Sequence, residues 1–561
     1  MWLIDTETLE LKSVAGPESQ RYAILSHTWV DGEEASFQEF LHHKQAPQVQ
    51  QKTGFAKIAK TCSLARERGI AYAWVDTCCI DKSSSAELSE AINSMFKWYQ
   101  QSTVCFVYLA DLAASEMSKI KHCRWFSRGW TLQELIASPV AEFYDASWTT
   151  IGNKKSLLWT LVSITKIDDR VLSDSSLLPT VAVAQRMSWA AKRQTTRVED
   201  LAYCLFGLFD VNLPLIYGEG TKAFIRLQEA IIRESDDLSL FAWTSQEDEA
   251  LQRYRGIFAR APEEFAGCGG IVRDTSPLIP SAILSLNNKG LEITTTGIIL
   301  SSSVRPSWDT TSCDYGDYFM DLRCFDFSNN DSLPPEDDPS HVAIYLVRGT
   351  DKYVRHRFQS TMRVPYSVAP MPLLAHNNTS TAIHVPKLLQ QLESWALEPL
   401  ILTKFKIVWE LPRGLAGAIL EPRPLRLWEP MDESFITMRS GLFTAKFRVE
   451  VRGAPFEVER QQMLPTTERH DTWLYPLEIE IGLETRPTPR PVDRIGPLPE
   501  VRPYIAISHI AGGTPGLAMS VENVRSSDLW LTLDFGLDRE SHKTGYGTLE
   551  YHKVVIKGSF Q

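Results

Sequence analysis

The residues best placed to do chemistry follow two apolar runs near the start of the chain. The runs occupy residues 22–25 and 72–75, and each ends in polar side chains. If the runs are neighbouring parallel strands, their carboxyl ends meet at one edge of a sheet, where α/β proteins bind ligands. The sequence therefore predicts a ligand site at this edge. Its predicted members here are Ser26, His27, Trp29, Asp76, Thr77 and Cys78.

Two structural explanations compete with a ligand site at this edge. His27 and Asp76 could simply hydrogen-bond each other or the backbone, as buried polar groups do. Cys78 and Cys79 are adjacent and have no C-x-x-C spacing, so we predict buried thiols and no metal site. Nothing in the sequence marks either thiol as an activated nucleophile.

A carboxylate follows the second run at Glu87, in the first turn of a predicted helix. Ser84 and Glu87 have the spacing of a capping box, in which the carboxylate reaches back to a free backbone N–H. Glu87 also borders the apolar stripe formed by Leu88, Ile92 and Met95. The positive end of the helix would help to keep the Glu87 carboxylate ionised, so it could also serve a ligand site. Glu87 is therefore either a helix cap or a residue of the site.

A third group of polar residues lies around a predicted helix near residues 129–136. Trp130, Gln133 and Glu134 share one helical face, so the ring could stack on a base while the polar groups hydrogen-bond it. Arg128 precedes the helix and could bind a phosphate. The alternative is a packed Trp130 with Arg128, Gln133 and Glu134 exposed to solvent. The predicted ligand site thus also includes Arg128, Trp130 and Glu134.

The elements that must position these residues alternate between strand and helix over the first 144 residues. Nearly unbroken apolar strands separated by amphipathic helices indicate an N-terminal three-layer domain with a parallel sheet, of flavodoxin type. A mostly helical extension follows, from about residue 154 to 234. Short β-favouring runs then predict a β-rich, sandwich-like C-terminal domain. The predicted organisation is an α/β domain at 1–243, a connector at 244–269 and a β-rich domain at 270–561.

Composition limits the classes of function. The 561-residue chain carries a formal charge of -11, which argues against a nucleic-acid partner because phosphate contacts need a basic face. No apolar run approaches the roughly 18 residues that cross a bilayer, and the N-terminus lacks the pattern of a secretory signal. Nine cysteines without regular spacing favour a reducing compartment. We therefore expect a cytoplasmic protein with no membrane span.

Five segments resemble the fungal heterokaryon incompatibility (HET) domain and occur in the order of that family. They span about residues 20–243 and do not extend into the β-rich half. The segments are YAILSHTW at 22–29, AWVDTCCIDK at 73–82, RWFSRGWTLQELIA at 124–137, RVEDLAYCL at 197–205 and LPLIYGEG at 213–220.

The resemblance implies a function. HET domains occur in proteins that trigger cell death when genetically different fungal cells fuse, and the family is distantly similar to TIR domains, some of which cleave NAD with a glutamate. Glu87 matches the recurrent acidic residue of the family, so the resemblance implies that it is the catalytic residue. Its carboxylate could hold a ribose hydroxyl and stabilise an oxocarbenium-like transition state as nicotinamide leaves. The resemblance thus implies an allorecognition effector that takes NAD as substrate and needs no cofactor. The alternative is a non-enzymatic signalling module that acts by self-association or by binding a protein partner.

Overall fold

The computed structural model describes residues 1–113, 116–246 and 254–276. From 281 to 560 it describes the strands and short stretches beside them. The N-terminal strands are β1 (Trp2–Asp5), β2 (Leu11–Ser13), β3 (Tyr22–His27), β4 (Tyr72–Trp74), β5 (Val104–Tyr108), β6 (Ala141–Tyr144) and β7 (Thr150–Asn153). The α-helices among them are α1 (Phe37–Leu41), α2 (Pro47–Gln50), α3 (Thr53–Glu67), α4 (Ser85–Gln101) and α5 (Thr131–Ala137).

The N-terminal strands form one seven-stranded sheet in the order β2-β1-β4-β3-β5-β6-β7. Its four central strands, β4, β3, β5 and β6, are parallel, while β1, β2 and β7 are antiparallel to their neighbours. The α/β prediction is confirmed, but the sheet is mixed rather than parallel throughout. The connections from β1 to β2 and from β6 to β7 are too short for a crossover, and short connections join only antiparallel strands.

Helices cover both faces of the sheet. Ser26 and His27 are successive residues of β3, so their side chains point to opposite faces. Ser26 contacts Glu134 of α5, whereas His27 contacts Lys57 of α3, which places α3 and α5 on opposite sides. α4 packs beside α5. Because β3 is buried along its whole length, both of its faces are covered by protein.

The helical extension packs onto this domain in one continuous core. Gly129 shows how closely it approaches, since its N–H donates to the Gln194 carbonyl over 2.8 Å. A Cβ added at Gly129 would lie 2.5 Å from the Thr195 methyl carbon, so any larger residue would push the two segments apart. The helices of the extension are α6 (Leu158–Thr165), α7 (Asp169–Ser173), α8 (Val183–Ser188), α9 (Asp200–Tyr203), α10 (Phe206–Phe209) and α11 (Lys222–Glu234).

The rest of the described chain is β-rich, as predicted. Runs expected at 291–294, 343–347 and 447–451 lie inside strands. The first strands are β8 (Ile271–Arg273), β9 (Ile283–Asn287), β10 (Gly290–Thr295), β11 (Ile298–Leu300), β12 (Asp317–Asp321), β13 (Cys324–Asp326), β14 (Ser340–Arg348), β15 (Tyr353–Arg355), β16 (Met362–Pro365) and β17 (Thr381–Val385). They pair as β17-β10-β9, as β13-β8 and as β11-β12-β14-β15, with β16 beside β14.

The last strands form two further sheets, β20-β21-β18-β26-β25 and β19-β22-β23-β24. These strands are β18 (Leu402–Glu410), β19 (Ala416–Arg423), β20 (Trp428–Glu429), β21 (Ser434–Met438), β22 (Phe443–Arg452), β23 (Thr472–Arg486), β24 (Glu500–His509), β25 (Leu531–Thr544) and β26 (Gly547–Phe560). Sandwich packing and the domain boundaries at 243 and 270 stay predictions. Within the described residues, no helix is long and apolar enough to cross a bilayer.

Candidate functional site

The inner part of the site is a buried carboxyl group on α5. Trp125 Nε1–H donates to Ser26 Oγ over 2.8 Å, and the Ser26 hydroxyl donates to Glu134 Oε2. The Tyr99 hydroxyl also faces the Glu134 carboxyl group. Glu134 is 4% exposed, and both neighbours are neutral. The Tyr99 hydroxyl donates to the Leu25 carbonyl over 2.9 Å, so Ser26 is the donor to Glu134, and the carboxyl group makes no ion pair with a described residue.

The pKa of Glu134 reflects this environment. Burial raises it from 4.5 to about 7 against the opposing charge of Arg128, and the negative charge of Asp76 adds to the increase. Glu134 therefore exchanges its proton near neutral pH. The prediction placed it in the ligand site, and the alternative of solvent-exposed Gln133 and Glu134 side chains is wrong, because every residue of α5 is buried.

The outer part of the site is a second carboxyl group, Asp76, which follows β4. His27 Nε2 lies 3.0 Å from Asp76 Oδ1, and Trp29 Nε1–H donates to Asp76 Oδ2 over 3.0 Å. Burial works to raise the pKa of Asp76, but the His27 hydrogen bond and the charges of Arg128 and Lys82 outweigh it and lower the pKa to about 2. Asp76 is therefore ionised wherever the protein is folded at ordinary pH.

Two cations converge on the exposed ring of Trp29. The Lys82 ammonium lies 3.9 Å and the Arg128 guanidinium carbon 4.7 Å from the ring centroid, both within cation–π range. Arg128 Nη1 donates to the His27 carbonyl over 3.0 Å, and it makes no ion pair with a described carboxylate. Its remaining N–H groups are therefore available to an anionic ligand. Trp29 is 37% exposed, so this is the open side of the site.

Two polar side chains near these residues are buried without a partner. Thr77 Oγ1, directly after Asp76, and Gln133 Nε2, directly before Glu134, have no hydrogen-bond partner among the described residues. Thr77 is 3% and Gln133 1% exposed. Since an unpaired buried polar group costs about 1–3 kcal/mol, a ligand that hydrogen-bonds Thr77 or Gln133 would recover that cost.

The described hydrogen bond of Glu87 is to Ser84 and not to Asp76, Glu134 or their neighbours. Glu87 is half-buried in the first turn of α4, where its backbone N–H donates to Ser84 Oγ over 3.3 Å. The Ser84 cap is thus present, but among the described residues the Glu87 carboxylate makes no hydrogen bond back to Ser84, so the box is half formed. Its predicted catalytic role stays a prediction.

The other predicted members have mainly structural contacts. Cys78 is fully buried, and burial raises the pKa of its thiol well above 9.0, so it is not a thiolate nucleophile. It lies in the turn after β4 rather than on a strand. Trp130 packs against the core and hydrogen-bonds Asp200 of the helical extension, so it joins two parts of the domain. Among the described residues, no cluster of three or more His, Cys, Asp or Glu side chains could hold a metal ion.

Sequence reasoning missed three contributors to the site. Lys57 of α3 reaches His27, Lys82 reaches the Trp29 ring, and Trp125 holds Ser26. Lys82 and Trp125 lie inside the segments that resemble the HET domain, so that resemblance was an available signal. Lys57 lies outside them, and only the packing of α3 against β3 brings it to the site.

Comparison with known proteins confirms the resemblance to the HET domain. The heterokaryon incompatibility protein (HET) family model matches residues 22–123, and a domain of unknown function (DUF8212) matches residues 222–275. The chain is 44% identical over 229 residues to the vegetative incompatibility protein HET-E-1 of Podospora anserina. That match covers 39% of this chain but only 16% of the relative. No solved structure matches. Residues 22–123 of this chain are therefore a heterokaryon incompatibility (HET) domain.

Proposed function

We propose that this chain acts in vegetative incompatibility and triggers cell death through its HET domain, which cleaves the bond between nicotinamide and ribose in NAD. The role in incompatibility is supported by the 44% identity to a protein named for it. Because the HET family model matches residues 22–123, we place this role in the N-terminal domain. We expect the β-rich half to engage a partner or a second copy, which then activates the domain.

The observation that carries the proposed chemistry is a pair of carboxyl groups with opposite pKa shifts. Asp76 has a pKa of about 2 and Glu134 a pKa of about 7, and the charge of Asp76 acts on Glu134. Two nearby carboxyl groups whose environments separate their pKa values are typical of acid–base sites. Asp76 supplies a permanent negative charge, while Glu134 can accept or release a proton at neutral pH.

Cleavage of NAD suits this pair. The bond from ribose C1′ to the pyridinium nitrogen breaks, and its electron pair leaves with neutral nicotinamide. The positive charge that develops on the ribose is stabilised by negative charge nearby, as in glycoside hydrolysis. Water then forms the new C1′–O bond, and ionised Glu134 accepts its proton. Glu134 suits this step because its pKa of about 7 lies near neutral pH, where proton transfer is most effective, and because the charge of Asp76 acts on it.

The open side of the site suits the rest of the dinucleotide. Arg128 and Lys82 offer positive charge for the diphosphate, and an arginine fork matches phosphate oxygens. The exposed Trp29 ring offers a surface for a base. Thr77 and Gln133 have unsatisfied groups that ribose or amide oxygens could complete.

Nicotinamide release from NAD by the purified chain tests the proposal. Glu134→Gln keeps the shape of the side chain and removes the proton acceptor, so turnover should fall by about 10²–10⁴-fold. Glu87→Gln is the matched control, with expected turnover close to wild type. If Glu87→Gln abolishes turnover while Glu134→Gln retains it, Glu87 is the catalytic residue instead.

Absence of turnover would change the functional class. The wild-type chain should also be assayed after forced clustering, for example through a fused dimerisation module, because the domain acts once assembled. If clustering triggers the cellular response without any nicotinamide release, the chain is a non-enzymatic signalling module that works by self-association or partner binding.

A further inference from the structure

The buried Lys57 ammonium on α3 is a feature that the proposed chemistry does not use. Its side chain is 6% exposed, although lysine is almost never buried without a role for its charge. The ammonium contacts three groups: Glu34 Oε1 at 2.5 Å, the Thr28 carbonyl at 3.1 Å and His27 Nδ1 at 3.3 Å. An ammonium has three N–H bonds, so each neighbour can take one.

These contacts fix the protonation state of His27. An ammonium has no lone pair, so His27 Nδ1 must accept from Lys57 and cannot carry a hydrogen itself. The other nitrogen, Nε2, lies 3.0 Å from the Asp76 carboxylate, which only accepts when it is ionised. Nε2 therefore carries the single ring proton and donates it to Asp76.

We propose that Lys57 is a positioning residue that holds His27 as the neutral Nε2–H tautomer. An imidazolium beside Asp76 would cancel the negative charge of that carboxylate, whereas a neutral imidazole orients the carboxylate and leaves its charge available. Four charged groups surround His27: Lys57 at Nδ1, Asp76 at Nε2, Arg128 at the backbone carbonyl, and Glu34 through Lys57. The importance of this charge for turnover rests on the proposed function, but the tautomer does not.

The tautomer can be read directly by ¹⁵N NMR of the full chain labelled at histidine. A protonated ring nitrogen and an unprotonated one have well-separated shifts. The chain has 12 histidines, so the His27 signals are assigned as those missing from His27→Gln. In wild type at neutral pH, Nδ1 should be unprotonated and Nε2 protonated.

Removing the ammonium should change this pattern. In Lys57→Met, Nδ1 loses its donor and the imidazole loses a repelling positive charge beside an ionised Asp76, so both nitrogens should become protonated. Lys57→Arg keeps the charge and a donor and should keep the wild-type pattern. In Glu34→Gln the ion pair is lost but the ammonium remains, so Nδ1 should stay unprotonated. Circular dichroism verifies that each variant is folded.

Two results would overturn the proposal: both nitrogens protonated in wild type, or an unchanged pattern in folded Lys57→Met. If Lys57→Met does not fold, the wild-type, Lys57→Arg and Glu34→Gln spectra still decide, because protonated Nδ1 in any of them contradicts it. If NAD is cleaved, Lys57→Met should lower kcat with little change in KM, because an imidazolium would cancel part of the Asp76 charge. If wild type cleaves no NAD, only the proposed function fails, and the NMR result still stands.

Discussion

Two regions of this molecule bury charged side chains, and they do so in different ways. In the β-rich part, fully buried His341 lies between two carboxylates, with Nδ1 3.0 Å from Asp321 and Nε2 3.1 Å from Asp274. At the sheet edge, buried Glu134 is held by the neutral Ser26 hydroxyl and not by a cation in contact with it. One buried charge has opposite charges on both sides, while the other does not.

The two sites also differ in what raises the pKa of the buried group and in whether its proton can exchange near neutral pH. Burial works to lower the pKa of His341, but the two aspartates outweigh it and raise the pKa, which favours the imidazolium. Burial raises the pKa of Glu134 to about 7, which leaves the proton free to exchange. A buried charge with opposite partners is typical of structure, whereas a buried carboxyl group with neutral partners is typical of chemistry.

The largest effect in this comparison should come from His341→Ala. The substitution leaves two buried aspartates, Asp274 and Asp321, facing each other without a cation, which should cost about 3–5 kcal/mol of unfolding free energy. Urea denaturation followed by tryptophan fluorescence measures it, and His122→Ala, at an exposed histidine, is the control. Nicotinamide release per folded molecule should not change. A loss of turnover with normal stability would mean that this region is also part of the site.

The second prediction concerns the stability of Glu134→Gln as a function of pH. A folded-state pKa raised from 4.5 to about 7 gives stability that is present below 4.5 and lost as the pH rises through about 7. At about 1.4 kcal/mol per pKa unit, this amounts to roughly 3 kcal/mol. Glu134→Gln should remove that part of the pH dependence, so it should be more stable than wild type in alkaline buffer.

Urea midpoints measured well below and well above that range provide the test. His341 also has a raised pKa, so its contribution is present below about 6.5 and is lost as the pH rises through the raised value. Asp76 behaves oppositely, because stability from its lowered pKa is lost only as the pH falls towards about 2. Identical pH profiles for wild type and Glu134→Gln would show that Glu134 has an ordinary pKa.

A third prediction tests whether the two carboxyl groups act on each other. The charge of Asp76 helps to raise the pKa of Glu134, so Asp76→Asn should lower that pKa. Because turnover needs ionised Glu134, wild-type kcat should rise with pH through about 7, and the rise should move to lower pH in Asp76→Asn. The pH profile of nicotinamide release measures the shift. An unchanged pH profile would show that the charge of Asp76 does not act on the pKa of Glu134.

The smallest effect should come from Ser84→Ala at the start of α4. The Ser84 side chain accepts the Glu87 N–H, and loss of such a cap typically costs about 1 kcal/mol. Glu87→Ala should cost only a few tenths, since its carboxylate makes no described bond to the cap. Thermal unfolding of both variants measures the difference. If Glu87→Ala loses more stability than Ser84→Ala, the Glu87 carboxylate does bond back to Ser84 and the capping box is complete.

The sequence predicted the strands of the site well and its helices less well. Apolar runs located β3, β5 and β6 because strands buried on both faces need an unbroken apolar sequence. The same reasoning extended β4 too far, since apolar Val75 continues the pattern although the chain already turns there. It also left open an alternative in which Gln133 and Glu134 are exposed to solvent, because helical periodicity cannot show that a short helix is covered on all sides.

Sequence alone determined the α/β class of the N-terminal part, the β-rich remainder, the HET resemblance and the polar residues after each strand. The environment of the site residues depended instead on contacts between distant residues. Only the tertiary structure showed that Glu134 is buried with a raised pKa, because that pKa depends on burial and on neighbours that come from β3, α4 and the turn before α5. It also brought Lys57 to His27 across 30 residues of chain. Local sequence dictates which residues end a strand, but packing decides which of them lose water and keep a charge.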